Sequence, residues 1–288
     1  MTKADSDFPY PIISTTQLAA RAGDADLKII DASWRMPGNP PAFNDHTQRR
    51  IPGAVFFDID DIADHSTGLP HMLPAPDKFA RAVGALGISN RDSVVVYDEA
   101  GIFSAARVWW MFRIMGHDRV SVLDGGLPKW RRENRPLHSG RAEPAPADYC
   151  AGAPRASVKD AAAVLDFLKL KEGVLLDARP ADRFSGKAKE PREGMRSGHM
   201  PGAQNLPFNE LLAEGELKPP HELAAIFLER GVNAETKVIT SCGSGVTAAI
   251  LILALERLGR TGNALYDGSW TEWGAQSNDP ERFPVITG

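Results

Sequence analysis

Cysteine is nearly absent from this chain. Among 288 residues only Cys150 and Cys242 occur, too few for a disulfide scaffold or a four-thiolate zinc site. Neither sign of charge dominates: 33 Lys and Arg against 37 Asp and Glu leave a net charge of −4. A general nucleic-acid binder would carry a strong basic excess, so no nucleic-acid partner is expected. No apolar run approaches the roughly 20 residues that span a bilayer. The opening stretch, MTKADSDFPYPIIS, brings acids and prolines where a signal peptide needs a basic segment and an apolar core. With 43% apolar and 24% charged residues, wholesale disorder is excluded. These absences leave a soluble, cytoplasmic protein as the expectation, with no membrane partner. The length suits two domains at about 150 residues each.

What is present is a repeat. LKIIDAS (27–33) is answered by VLLDARP (174–180), RIPGAVFF (50–57) by HMPGAQNLPF (199–208), SVVVYDEAG (93–101) by KVITSCGSG (237–245), and VLDGGLPKW (122–130) by LYDGSWTEW (265–273). The separations Asp31 to Asp177, Gly53 to Gly202, Gly101 to Gly245 and Asp124 to Asp267 are 146, 149, 144 and 143 residues. Kept order and kept spacing mean a duplicated domain. We expect a first copy over residues 1–135, a Pro-, Ala- and Gly-rich linker over 136–156 and a second copy over 157–288. Cys150 falls in that linker with no basic or helix-start context, and reads as an incidental thiol.

In each copy short β-branched runs alternate with longer helical patterns. DLKIID, SVVVYD, VSVLDGG, GVLLDA, KVITSC and ALYDGS read as strands apolar on both faces, as in a buried parallel sheet. SAARVWWMFRIMG (104–116) and TAAILILALERLG (247–259) read as helices that end at glycine. The expected fold class is α/β, two tandem domains, each a mostly parallel sheet flanked by helices. Ligands of such sheets gather beyond the carboxyl ends of the strands. There, in the second copy, stands Cys242-Gly243-Ser244-Gly245-Val246-Thr247. Two glycines allow a tight turn, and successive backbone N–H groups before a helix can converge on an anionic sulfur. The first copy has Asp98-Glu99-Ala100-Gly101 instead. It lacks a nucleophile, Glu99 would repel an anion, and the copy is expected to be catalytically silent.

These residues resemble the rhodanese superfamily over nearly the whole chain, in the tandem organisation, the RIPGA and HMPGA segments and the single cysteine loop. The loop Cys-Gly-Ser-Gly-Val-Thr is similar to that of its 3-mercaptopyruvate sulfurtransferase subgroup; thiosulfate sulfurtransferases typically carry basic residues where Gly243 and Ser244 stand. The resemblance implies Cys242 as the nucleophile that becomes a persulfide, with Gly243, Gly245, Val246 and Thr247 cradling it. It implies Arg183 and Arg192 as the clamp for the donor carboxylate, suited by paired charge-assisted hydrogen bonds. It also implies a relay of Ser244, His71 and Asp60 that protonates the departing pyruvate. No metal or organic cofactor is implied, and the sulfur acceptors would be cyanide, small thiols or thioredoxin. Three alternatives remain open at this point: a thiosulfate:cyanide sulfurtransferase, a non-catalytic binding module, and a cysteine phosphatase. The last needs an arginine where Ala248 stands. His199, Arg179, Arg196 and the tryptophans 109, 110, 270 and 273 are expected to be structural.

Overall fold

The computed structural model describes residues 8–288; the first half of the amino-terminal stretch read above for a signal peptide, residues 1–7, lies outside them. Two units divide the chain. One comprises the residues up to 63 together with 74–155 and 212–217, and the other comprises 64–73, 156–211 and 218–288. Each copy thus lends the other unit one short segment.

The first unit is built on β1 (Ile12–Ile13), β2 (Leu27–Asp31), β3 (Ala54–Phe56), β4 (Ser93–Tyr97) and β5 (Val120–Leu123). They form one sheet in the order β1-β5-β4-β2-β3, with every pairing parallel. Further along come β6 (Ser157–Lys159), β7 (Val174–Asp177), β8 (Gln204–Asn205), β9 (Leu212–Ala213), β10 (Glu216–Leu217), β11 (Val238–Ser241) and β12 (Ala264–Tyr266). The second sheet runs β6-β12-β11-β7-β8, again parallel throughout. Replacing each strand by its counterpart converts one order into the other, so the duplication read from sequence is a duplication of topology. β9 and β10 form a separate antiparallel hairpin in the first unit.

The apolar central strands are buried along their whole length, β4 and β11 without an exposed residue. The helices Ala105–Ile114 and Ala248–Arg257 are likewise buried nearly all round, as their lack of a polar face requires. Gly116 and Gly259 follow them with φ of 79° and 75°, the left-handed conformation that closes a helix and suits glycine. One core face carries Ile29, Val95, Tyr97, Leu123 and Trp130 in the first unit, and Leu175, Ile239, Tyr266, Trp270 and Trp273 in the second. Trp130 Nε1 donates to Pro136 O at 2.8 Å and its counterpart Trp273 Nε1 to Pro284 O at 2.9 Å. Trp109 and Trp110 are fully buried too.

Residues 136–155 are held to the first unit. Ala147 N–H donates to Gly84 O, Tyr149 packs edge-on against Phe79 and Phe112, and Asn90 hydrogen-bonds both backbone polar groups of Cys150. The Cys150 residue itself is exposed. Among the described residues no helix is long and apolar enough to cross a membrane.

Candidate active site

Cys242 is the first residue after β11 and is 2% exposed. Three hydrogen bonds hold its backbone and that of Gly243. The Cys242 N–H donates to Ser269 Oγ at 3.2 Å, its carbonyl accepts from Trp270 N–H at 3.0 Å, and the Gly243 carbonyl accepts from Thr271 N–H at 2.9 Å. The start of the short helix Ser269–Trp273 therefore grips the back of the loop. Ser269 is fully buried with φ of +50°, a conformation that a non-glycine residue adopts only when its surroundings hold it there. Its hydroxyl donates to Tyr266 O and so is oriented to accept the Cys242 amide. The first copy has Gly126 at this place.

Gly245 has φ of +76°, which confirms the tight turn read from the sequence. The N–H groups of Ser244 and Thr247 have no protein acceptor among the described residues. The matched loop of the first copy shows what such amides do. There Asp98, 1% exposed, accepts from Ala100, Phe103 and Ala105 N–H at 2.9, 2.7 and 2.8 Å. By the 144-residue separation those donors correspond to Ser244, Thr247 and Ala249. Burial pushes the Asp98 carboxyl above the usual carboxylate range, while the three amides pull it back. The first loop thus carries its anion as a side chain. Glu99, expected to repel an anion, is paired with Arg35, which compensates part of its charge. Nearby, a cavity of about 120 Å³ at those strand ends is lined by Asp31, Ser33, His46, Arg49, Glu99 and Arg131 among others, with no thiol.

Arg183, on the one-turn helix Ala181–Phe184, is brought to the cysteine loop: a Cβ on Gly243 would lie 3.2 Å from its Nη2. A side chain at 243 would make that guanidinium give by a few tenths of an ångström. Arg183 pairs with Glu190, whose side chain is 3% exposed and which also binds Arg179 Nη1 at 2.8 Å. Arg179 is buried on the Trp270 ring, 4.1 Å from its centroid, and pairs with Asp177 at the end of β7. Burial opposes the Arg179 charge, but Asp177 and Glu190 outweigh it and hold the guanidinium above its ordinary value. An ion-pair chain therefore runs from the strand end through Glu190 to Arg183. Arg192, nine residues after Arg183, is half-buried.

His71 lies in the 64–73 segment that groups with the second unit. It is 4% exposed, and its Nδ1 is 3.0 Å from Ser244 Oγ. Asp60 belongs to the first unit, where it accepts from Trp34 Nε1 at 2.9 Å. The remaining basic residues have structural partners. His199 donates from Nδ1 to Phe184 O and stacks on that ring, and Arg196 donates to Trp273 O and Gly274 O. Sequence reasoning gave no role to Glu190, Ser269 or Asp267. Asp267 stands in a DG pair repeated in both copies and so carried a signal, whereas Glu190, between Lys189 and Arg192, carried none.

Comparison with known proteins agrees with this architecture. Residues 14–133 and 159–276 each match the rhodanese-like domain family. The chain is 44% identical over 265 residues to the 3-mercaptopyruvate sulfurtransferase of Escherichia coli K12, spanning 91% of this chain and 94% of that protein. It is 41% identical over 306 aligned positions to the mitochondrial thiosulfate/3-mercaptopyruvate sulfurtransferase 1 of Arabidopsis thaliana, spanning 94% and 77%. The crystal structure of SseA from Escherichia coli, a 3-mercaptopyruvate sulfotransferase of rhodanese fold, superposes with a TM-score of 0.83 at 42% identity, covering 90% of this chain and 98% of that one. Two rhodanese-like domains, with a cysteine in the loop of the second and an aspartate in its place in the first, place this chain in the tandem-domain rhodanese family.

Proposed function

We propose that the protein is a sulfurtransferase that takes sulfur from 3-mercaptopyruvate onto Cys242 and passes it to a thiol or to cyanide. The observation that carries this reading is the pair of matched loops. In one, three amides hold the buried Asp98 carboxylate; in the other, a cysteine stands at the anion's place and the matching amides of Ser244 and Thr247 have no protein acceptor among the described residues. A loop of that kind suits a sulfur anion held on a side chain.

In the first step the Cys242 sulfur attacks the donor sulfur, an S–S bond forms, and the donor C–S bond breaks. Its electron pair leaves with pyruvate as the enolate, which must take up a proton. Ser244, in contact with His71, would deliver it, with Asp60 as the third member of the proposed relay. Arg183 and Arg192 would hold the donor carboxylate. In the second step an acceptor nucleophile attacks the outer sulfur and Cys242 is regenerated, a ping-pong scheme. Acceptors of this chemistry include cyanide, small thiols and thioredoxin, and the cytoplasm is the compartment proposed. The first copy takes no covalent part.

Relatives named for both donors keep thiosulfate as the second reading. Gly243 and Ser244 offer no cation at the residues following the cysteine, which favours a carboxylate held at a distance by Arg183 over a compact dianion. The test is intact-mass analysis after mixing with each donor, with kcat/KM for both. A gain of one sulfur atom that is lost in Cys242→Ser, with mercaptopyruvate preferred, is expected. No added sulfur overturns the persulfide, and a thiosulfate preference overturns the donor.

A further inference from the structure

The two copies end their fifth strand with the same residue. Asp124 follows β5 and Asp267 follows β12. Each accepts one backbone amide from the segment that its unit receives from the other copy. Leu73 N–H donates to Asp267 Oδ2 at 2.7 Å, and Leu217 N–H to Asp124 Oδ1 at 2.9 Å. The repeated aspartate is thus a repeated clasp, and its two captives differ in what they carry. In the first unit the held segment is the hairpin β9–β10, whose Gly215 sits against Gly101 of the silent loop; a Cβ there would lie 2.7 Å from Gly215 O. In the second unit the held segment carries His71.

The 64–73 segment is a closed arm: Asp64 N–H donates to Met72 O at 2.9 Å. His71 lies just inside that closure and two residues before the clasped amide. Its φ is +61°, in the left-handed region that a side chain makes unfavourable. Contacts on either side must therefore hold the turn. On one side is the imidazole against Ser244 Oγ; on the other is the Leu73 amide on Asp267, a buried carboxylate at 5% exposure. A carboxylate accepting a backbone N–H makes one of the stronger protein hydrogen bonds.

We propose that Asp267 is a positioning residue for the sulfur-transfer reaction, fixing the arm through the Leu73 amide so that the His71 imidazole stays against Ser244. The inference rests on the reading that His71 and Ser244 handle the proton that pyruvate takes up. Misplacing such a pair by about 1 Å can cost about a hundredfold in rate.

Four variants in the full chain test it: Asp267→Ala, Asp267→Asn, the counterpart Asp124→Ala, and His71→Ala. The readouts are kcat and KM with mercaptopyruvate and the rate at which iodoacetamide alkylates Cys242, which involves no enolate. Asp267→Ala is expected to lower kcat about tenfold or more with KM changed less than about threefold. Its Cys242 alkylation should stay within about threefold of the unsubstituted rate, as a sound loop requires. Asp267→Asn keeps an acceptor oxygen and should recover most of the loss, and Asp124→Ala should leave kcat near its starting value. The proposal is overturned if Asp267→Ala turns over normally, if alkylation falls in step with kcat, or if Asn is as slow as Ala. His71→Ala separates the two levels. Full turnover in that variant defeats the underlying proton reading, whereas slow His71→Ala beside normal Asp267→Ala defeats only the role of Asp267.

Discussion

At the scale of single residues the site is decided by how charges are shared. Glu190 is bound to Arg179 on one side and to Arg183 on the other, so one carboxylate serves a buried structural guanidinium and the guanidinium beside the cysteine loop. Removing it leaves Arg179, whose side chain is 1% exposed, with Asp177 as its remaining charged partner. Breaking a buried pair from one side costs about 3–5 kcal/mol. Glu190→Ala is therefore expected to lower unfolding free energy by an amount near the low end of that range, since Asp177 remains. It should also raise KM for mercaptopyruvate several-fold, because Arg183 loses its anchor. Urea unfolding and steady-state kinetics check both parts; an unchanged KM would show that Arg183 keeps its place without Glu190. The Cys242 loop was legible in the sequence as a cysteine between a strand and a helix, whereas Arg183 was singled out only by the resemblance, and its place beside that loop is set by the fold. Glu190 was not legible, since in sequence an acid beside two basic residues reads as a surface pair, and only its burial makes it a bridge.

Among secondary-structure elements, the central strands and the two helices that follow the loops were legible because they are long and apolar. The edge strands β1, β3, β6 and β8 have two or three residues each, too few to show a period. The hairpin β9–β10 turns through Glu214 and Gly215 at φ of 52° and 84°. That two-residue turn usually announces itself by Asn or Asp before glycine, and Glu214 hides it. The helix Ala248–Arg257 holds a different surprise. Its Glu256 is 6% exposed, and Oε2 has no hydrogen-bond partner among the described residues. Burial pushes this carboxyl up from 4.5 to about 7. The folded chain then holds the proton more tightly than the unfolded chain. Stability from this group is fully present below pH 4.5 and is lost as pH rises towards 7, by at most about 3 kcal/mol. Glu256→Gln removes that dependence. The variant should match the parent near pH 4.5 and exceed it in unfolding free energy by about 1–3 kcal/mol at pH 8. A difference that does not change with pH would contradict the assignment.

Over the whole molecule, duplication lets one fold hold two solutions to the same local problem. A strand that ends in a glycine-bearing loop before a buried helix leaves N–H groups pointing inward, and something anionic or polar must meet them. The first copy meets them permanently with Asp98; the second offers them to whatever Cys242 carries. The repeat itself was legible, because four motifs keep their order and spacing. The exchange of segments 64–73 and 212–217 between units was not, because it depends on contacts far apart in sequence and leaves the periodicity untouched. If the first loop's aspartate serves stability alone, Asp98→Ala strands two or three buried donors at about 1–3 kcal/mol each, less whatever water recovers. A loss of about 2–4 kcal/mol in unfolding free energy is expected. Mercaptopyruvate turnover at a temperature where the variant is fully folded should change less than about twofold, since no reacting group is touched. Denaturant unfolding and kinetics on the same preparation measure both. A turnover that falls while the variant remains folded would mean that the first loop shapes the chemistry of the second, and that the copy without a nucleophile is not silent.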